Sequence, residues 1–245
     1  MRQTNAEGAP VGIARFMALV AACLTMVAQL HAQETPLGKL SGRVQVAGVI
    51  VKPPPLPVFK NRAYCGRVVA NETMQVGANG GLANTIITLH ALGAPKQIQP
   101  KTITLDNRAC AFVPHAQIAL LGGELVLKNS DPILHTVHAR IGGETLFNVG
   151  LPHWRRVTER LDRPGLMRIN CDVLHTWMSA VIMVTTTPFF AVSGPSGEFA
   201  IDELPPGEYR VEAWHEKLGA KSARVVIGAG QPAAIDFVYA AAARS

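Results

Sequence analysis

The sequence has few charged and few aromatic residues for its length. Among 245 residues, Asp, Glu, Lys and Arg make up 16% and Phe, Trp and Tyr 6%, whereas 48% are hydrophobic. This composition excludes an intrinsically disordered chain, which combines low hydrophobicity with high charge. The formal net charge of +6 is spread thinly, without a run of Lys and Arg interleaved with aromatic residues. The sequence therefore also argues against a nucleic-acid-binding surface.

The sequence also lacks an amphipathic helix of ordinary length. Short apolar, β-branched runs recur instead, and clusters of Gly, Asn, Asp or Pro separate most of them. This arrangement is typical of antiparallel β-structure with short connections, so we predict an all-β protein. The predicted strands include residues 39–51, 85–89, 102–105, 117–121, 124–128, 168–171 and 180–185.

The N-terminal residues have the layout of a cleavable secretory signal. Basic residues precede an apolar stretch at residues 16–30, and polar residues follow Ala32. The stretch is short for a membrane span. We therefore predict a signal peptide at residues 1–32, a periplasmic protein and no permanent membrane span. Cleavage before Cys23, with a lipoprotein anchor, is the alternative.

Cysteine is scarce, with four residues in the whole chain. Cys23 would leave with the signal peptide, and an odd number would remain in an oxidising compartment, where unpaired thiols are unusual. The economical solution is a disulfide between Cys65 and Cys110, with Cys171 as a metal thiolate, although sequence does not prove the connectivity. An unreactive, buried Cys171 is the alternative.

The strongest chemical motif is CDVLHTWM at residues 171–178. Cys171, His175 and Met178 place a thiolate, an imidazole and a thioether within this short loop, between two predicted strands. Sulfur donors together with imidazole select copper, and a type 1 copper site uses two His, one Cys and a weak axial Met. The motif therefore predicts most of a copper site and requires a second His from elsewhere.

The region upstream of this motif supplies that His through a resemblance. Phe-x-Pro at residues 112–114, Gly-Gly at residues 122–123, and then Asn129, Asp131 and His135 resemble the strand and loop signature of the cupredoxin family, of the amicyanin and plastocyanin type. The resemblance implies a Greek-key β-sandwich that binds one type 1-like copper ion. Carried over residue by residue, it assigns the metal ligands as His135, Cys171, His175 and Met178.

The sequence departs from the family pattern in the ligand loop. Three residues separate Cys171 from His175, where amicyanin and plastocyanin have two, so the colour and geometry of the site stay open. The Cys-x3-His-x2-Met order also resembles part of the dinuclear copper loop of cytochrome oxidase. The first Cys of that loop would fall at Met167, which argues against a dinuclear site. His138 is expected to lie beside the site without binding the metal.

Other candidate residues have plainer interpretations. Trp177, inside the ligand loop, would shield the metal from water. The residues for which we expect packing, interface or other structural roles are His115, Trp154, Trp214, His215 and Glu216.

The C-terminal part of the chain has a different pattern. Consecutive hairpins separated by Gly- and Pro-rich turns predict a small β-sandwich there. GEF at residues 197–199, LPPGEY at residues 204–209 and WHE at residues 214–216 resemble carboxypeptidase regulatory-like modules, which have a transthyretin-like (prealbumin-like) or carbohydrate-binding-like fold. Together the two halves resemble bacterial periplasmic proteins of the methylamine-utilisation type.

We accordingly predict two domains after the signal peptide. Residues 33–187 would form the cupredoxin-like domain with an N-terminal β extension, and residues 188–245 the second module. A module of this size has few residues with which to form an independent hydrophobic core. We therefore expect it to pack on the preceding domain or to borrow strands from the N-terminal segment.

The interpretation of the motif as a copper site predicts a protein that is not an enzyme. Its function would be one-electron transfer with a periplasmic redox protein as partner. The ring edge of His175 is expected to be exposed within an apolar rim that includes Leu134 and Leu174, where such a partner could dock briefly.

Two other functions stay open from sequence. Copper delivery or storage, with a copper donor or acceptor as partner, would use the same ligands. In the other function no metal is involved, and the C-terminal module binds a glycan or an envelope protein. The aromatic residues there that could stack on a sugar are few, namely Phe189, Phe190, Tyr209 and Trp214.

Overall fold

The computed structural model describes residues 35–48, 52–92 and 99–241. The predicted signal peptide and Cys23 lie outside these residues. In the described ranges the regular structure is almost entirely β-strand, which confirms the all-β prediction. Within those ranges, no helix has the length and apolar character needed to cross a membrane.

The described residues contain nineteen strands, one four-residue helix and one 3-10 turn. The helix is α1 (Arg62–Cys65), and the turn spans Ala78–Gly80. The strands are β1 (Gly38–Ala47), β2 (Leu56–Pro57), β3 (Val68–Val69), β4 (Ile86–Ala91), β5 (Ile103–Arg108), β6 (Ala111–Val113), β7 (Ala116–Leu120), β8 (Glu124–Asn129), β9 (His135–Ile141), β10 (Glu144–Leu151), β11 (Arg156–Arg160), β12 (Gly165–Asn170), β13 (Ser179–Thr185), β14 (Phe189–Val192), β15 (Glu198–Leu204), β16 (Gly207–His215), β17 (Gly219–Ile227), β18 (Pro232–Ala234) and β19 (Phe237–Ala240).

The first β-sandwich consists of a five-stranded sheet, in the order β10-β9-β12-β13-β7, and a four-stranded sheet, in the order β11-β8-β5-β6. The pairs β5–β8 and β7–β13 are parallel although most neighbours are antiparallel, because the chain crosses between the sheets as a Greek key does. Alternate residues of β8 and β9 face inwards, as expected for strands with one buried face. The result is a Greek-key β-sandwich, as the resemblance implied, around Phe112, Leu127, Ile169 and Ile182.

The second β-sandwich combines C-terminal strands with two earlier ones. One sheet has the order β14-β4-β16-β17, and in the other β1 pairs with β15, β18 and β19. Its core includes Leu40, Leu89, Phe199 and Phe237. The C-terminal hairpins alone would leave these apolar faces uncovered, and β1 and β4 cover them.

This pairing bears on the predicted domain boundaries. β1 and β4 were assigned to the segment 33–187, and they pair with strands of the segment 188–245. The second sandwich therefore takes two strands from the N-terminal segment, one of the two arrangements expected above. A boundary at residue 188 between independent folding units stays a prediction.

The two sandwiches pack directly on each other. A small apolar cluster joins β7 and β13 of the first sandwich to β4, β14 and β16 of the second. His115, just before β7, also contacts Glu216, just after β16, through its Nε2 atom. This position agrees with the structural role expected for His115 and with an interface position for Glu216.

A connection between β1 and β4 covers one end of the first sandwich. It contains the short ribbon β2–β3 and, between these strands, α1. Val58 from this connection is fully buried in the first core, and a disulfide joins Cys65 to Cys110. The connection is thereby held against the end of the sandwich where the ligand loop lies.

Candidate metal centre

Three of the sequence-predicted ligands converge on one point. The Nδ1 atoms of His135 and His175 lie 3.0 Å apart, and the Sγ atom of Cys171 lies 3.9 Å and 3.7 Å from them, respectively. All three side chains are buried, and both imidazoles are fully so. The ligand atoms belong to a His2Cys cluster of the kind that holds a metal ion.

The strand pairing explains why these residues meet. His135 is the first residue of β9, and Cys171 follows the last residue of β12, which pairs with β9. The loop then turns sharply towards β13. Leu174 has a left-handed backbone conformation (φ 65°), and the Met178 N–H donates to the His175 carbonyl (2.9 Å).

Hydrogen bonds orient the Cys171 sulfur. The backbone N–H of Thr136 points at Sγ from 3.4 Å, and its hydroxyl lies 3.7 Å from the same atom. The Thr136 hydroxyl in turn accepts the N–H of Asp172 (2.7 Å). N–H donors stabilise the negative charge of a thiolate, which is the form of cysteine that binds metals.

Asp131 holds the far side of the His135 ring. The ring Nε2–H donates to Oδ2 of Asp131 (3.0 Å), which leaves the Nδ1 lone pair directed at Cys171 and His175. Asp131 is itself buried, and Asn129 Oδ1 accepts its backbone N–H (3.0 Å). Burial lowers the pKa of His135, an effect that Asp131 partly opposes.

Asn61 holds the far side of the His175 ring. Its Oδ1 atom accepts the Nε2–H of His175 (2.8 Å), so the Nδ1 lone pair of this ring also faces the cluster. Burial lowers the pKa of His175 to about 4, and the nearby His135 and Lys60 contribute. The lowered pKa values of both rings favour the neutral imidazole, which is the form that binds metals.

The donor set fits a bound metal ion. With both Nε2 atoms protonated, two lone pairs face each other across 3.0 Å without a proton between them, an arrangement that a cation would stabilise. The circle through the three donor atoms has a radius of about 2 Å, close to the ~2.0–2.3 Å of bonds from His nitrogen and Cys sulfur to zinc. Two imidazoles with one thiolate also form the equatorial set of type 1 copper.

Met178, the fourth predicted ligand, lies beside this cluster. It is buried in the same core as Cys171, three residues after His175. It also lines a cavity of about 130 Å³ together with His115 and Trp177. The His2Cys donor cluster does not include Met178, and its role as an axial ligand stays a prediction.

Trp177 covers the His175 ring from the interior. The two ring centroids lie 5.0 Å apart, and the indole N–H donates to the Cys110 carbonyl (3.0 Å). Trp177 is itself buried, in agreement with the expected shielding of the site from water.

His138 lies outside the cluster, on β9. Its Nδ1 and Nε2 atoms contact Asp172 (2.6 Å) and the Thr145 hydroxyl (2.8 Å) near the surface. The donor cluster does not include it, as the sequence analysis expected.

The expected exposure of the His175 ring edge is wrong. The side chain is fully buried, because Asn61 bonds its outer nitrogen and Trp177 packs on the ring. The apolar neighbours of the ligands, Leu134 and Leu174, are exposed as expected.

Sequence reasoning missed the outer supports of the site. The sequence assigns no role to Thr136, and Asp131 enters only as part of a family signature. Asn61 was not considered at all, because 114 residues separate it from His175. A left-handed Asn before a four-residue helix has no sequence signal that connects it to a distant loop.

Comparisons with known proteins add little to this geometry. No family model and no curated protein matches the chain. Among solved structures, a purple cupredoxin from Nitrosopumilus maritimus is 20% identical, over 30% of this chain and 81% of that one, with a TM-score of 0.28. A reduced amicyanin variant is 17% identical, over 34% of this chain and 82% of that one, with a TM-score of 0.31.

A third solved structure is a copper-containing nitrite reductase from Thermus scotoductus SA-01. It is 22% identical, over 40% of this chain and 25% of that one, with a TM-score of 0.32. At such identities and TM-scores these similarities carry no functional argument. The function is therefore argued from the site itself.

Proposed function

We propose that this chain is an exported mononuclear copper protein that transfers single electrons. The observation that carries the proposal is the convergence of His135 Nδ1, His175 Nδ1 and Cys171 Sγ in a buried cluster. Met178 would complete the set as a weak axial ligand. A copper ion bound there supplies one-electron chemistry by cycling between two oxidation states.

The surrounding residues suit a site whose geometry stays constant during electron transfer. Asp131 and Asn61 fix the orientation and tautomer of the two imidazoles, and Thr136 orients the thiolate sulfur. The chain thereby resists rearrangement of its donors when the charge of the metal changes. Trp177 and the apolar core exclude water from the same region.

The burial of the donors favours electron transfer over catalysis. A substrate would have to reach donor atoms that lie beneath Trp177 on one side and Asn61 on the other. An electron does not need such contact. The exposed side chains of Leu134 and Leu174, next to two of the ligands, would form the rim against which a periplasmic redox partner docks.

The disulfide supports export to an oxidising compartment. Cys65 and Cys110 are joined, and Cys171 is a free cysteine, so the thiol is available to the metal. Stable disulfides are rare in the bacterial cytosol. This agrees with the signal-like N-terminus and with periplasmic localisation.

A glycan-binding role finds no support among the aromatic residues of the second sandwich. Phe189 and Tyr209 are buried in its core, and Phe190 and Trp214 pack at the interface between the sandwiches. Without exposed rings, a sugar would have no stacking platform among these four residues.

The test is copper loading of the purified protein. We expect one Cu(II) per chain and a sulfur-to-copper charge-transfer band, with the band lost in Cys171→Ser and binding weakened in His135→Ala. His138→Ala is the matched control, because this imidazole lies on the same strand outside the cluster, and it should bind copper as the wild type does. The proposal is contradicted if the wild-type protein fails to bind copper. It is also contradicted if Cys171→Ser and His135→Ala both bind copper as the wild type does.

A second measurement separates electron transfer from copper delivery. The loaded protein should undergo repeated oxidation and reduction without losing copper. If copper instead passes quickly to an acceptor protein or chelator on reduction, delivery is the function.

A further inference from the structure

We infer that residues 58–66 form a lid that retains the metal, with Asn61 as the positioning residue for His175. The inference rests on the proposed function, because a lid over these donors has a role only if they bind a metal. It concerns how long the metal stays bound, whereas the proposed function concerns whether it binds.

The lid is a loop closed by its own hydrogen bonds. At its base the N–H of Val58 donates to the carbonyl of Arg67 (2.9 Å), and the Arg62 side chain donates through Nε to the carbonyl of Val58 (2.6 Å). Within the loop the Cys65 N–H donates to the carbonyl of Asn61 (2.9 Å). The base is anchored, because the Val58 side chain is fully buried in the first core.

The first contact between lid and site is made by Asn61. Its backbone is left-handed (φ 55°), a conformation that Asn adopts more readily than most residues. Its side-chain oxygen accepts the outer N–H of His175. The lid thus both covers this ring and sets the direction of its metal-facing nitrogen.

The second contact reaches the other imidazole through Tyr64. The Tyr64 hydroxyl donates to Oδ1 of Asp131 (2.9 Å), and Oδ2 of the same carboxylate accepts the outer N–H of His135. Both imidazoles of the donor cluster are therefore supported by hydrogen bonds that begin in the lid.

The disulfide fastens the lid to the same supports. Cys65, the last residue of α1, is bonded to Cys110, whose N–H donates to Asp131 (2.9 Å) and whose carbonyl accepts the indole N–H of Trp177. A covalent bond therefore links the lid to Cys110, which hydrogen-bonds both Asp131, the partner of His135, and Trp177, the neighbour of His175.

Metal loss should require this lid to open. A chelator or water molecule must reach the donor side, and both imidazoles are fully buried with the lid in place. The outer face of the lid is exposed, with Phe59 at 64% of its full accessibility, so opening moves it into solvent without breaking a second layer of contacts. The rate of metal release then reports how firmly the lid is held.

The experiment measures Cu(II) release to excess EDTA from protein produced from the full sequence. Asn61→Gly removes the acceptor oxygen and keeps the left-handed backbone accessible. We expect it to release copper about 10- to 100-fold faster than wild type, because losing an outer support of a ligating His lowers metal affinity by about that factor and lost affinity appears mainly in the rate of release. Asn61→Asp keeps an acceptor oxygen at the same place and should restore slow release, together with the wild-type visible spectrum.

Two further variants test the assignment. Asn79→Gly is the matched control, because Asn79 has nearly the same backbone conformation (φ 56°) but lies in the turn that precedes the second sandwich strand β4. It should leave release unchanged. The double variant C65A/C110A removes the covalent fastening, leaves Cys171 as the one cysteine among the described residues and should also accelerate release. Substitution is used because an added thiol reductant would itself compete for copper.

The outcomes separate the two proposals. If the wild type binds copper and Asn61→Gly releases it within about twofold of the wild-type rate, the lid is refuted and the copper site stands. Equal acceleration by Asn79→Gly, or no rescue by Asn61→Asp, refutes the positioning role of Asn61. A wild-type protein that binds no copper refutes the proposed function, and the lid with it.

Discussion

The carboxylate of Asp131 is the most heavily used hydrogen-bond acceptor around the site. It accepts the backbone N–H groups of Ala109 (2.7 Å) and Cys110 (2.9 Å), the Tyr64 hydroxyl (2.9 Å) and the ring N–H of His135 (3.0 Å). We predict that Asp131→Ala strongly destabilises the metal-free protein, independently of any effect on copper.

The magnitude follows from the donors left behind. The Tyr64 hydroxyl and the Ala109 N–H can bond water instead, because both residues are exposed, so the buried N–H groups of Cys110 and of the His135 ring are the donors left without an acceptor. An unsatisfied buried donor costs ~1–3 kcal/mol, and such costs are not additive within one network. We therefore expect the free energy of unfolding to fall by about 2–4 kcal/mol.

Urea unfolding of the metal-free protein, followed by tryptophan fluorescence and circular dichroism, measures this change. Asp172→Ala is the matched control. Asp172 also bonds a His and an Asn near the site, but at the surface, so its removal should cost less than about 1 kcal/mol. If Asp131→Ala costs no more than Asp172→Ala, the network does not stabilise this end of the sandwich and the reasoning is refuted.

Three further predictions concern stability, each measured by urea unfolding. The double cysteine-to-alanine variant should lose up to about 4 kcal/mol, because the disulfide closes a loop of 45 residues in the unfolded chain; an unchanged midpoint would contradict this. Gly42→Ala should lower the free energy of unfolding by more than about 2 kcal/mol, because the added Cβ would lie 1.8 Å from a backbone oxygen. Gly150→Ala is its control and should lower the free energy of unfolding by under ~1 kcal/mol, because the space around its Cβ is open. Glu216→Ala should lower the free energy of unfolding by about 3 kcal/mol, because it leaves His115 without its buried partner between the sandwiches. A loss under ~1 kcal/mol would show that this pair does not hold the two sandwiches together.

The all-β architecture was predictable because its signal is local. Alternating apolar residues and turn-forming residues define strands such as β8 and β13 wherever their partners lie. Pairing is a long-range property, and here the sequence was less informative. That β1 and β4 complete the second sandwich depends on which apolar faces would otherwise meet water, and strand periodicity does not specify a partner.

The candidate site likewise contains residues that the sequence predicts and residues whose roles depend on tertiary contacts. Cys171 and His175 lie four positions apart in one loop, so their proximity follows from the chain itself, and a family resemblance was enough to select His135. The roles of Asn61, Asp131 and Thr136 could not be predicted, because each arises from hydrogen bonds between segments distant in sequence.

The sequence by itself determined the chemical identity of the donors and the strand-rich character of the chain, because both depend on residue type and short-range spacing. Only the tertiary structure decided that the imidazoles are buried, which nitrogen of each ring faces the cluster, and that Asn61 bonds the outer nitrogen of His175. These properties depend on how distant segments pack, since burial and hydrogen bonding are set by neighbours in space.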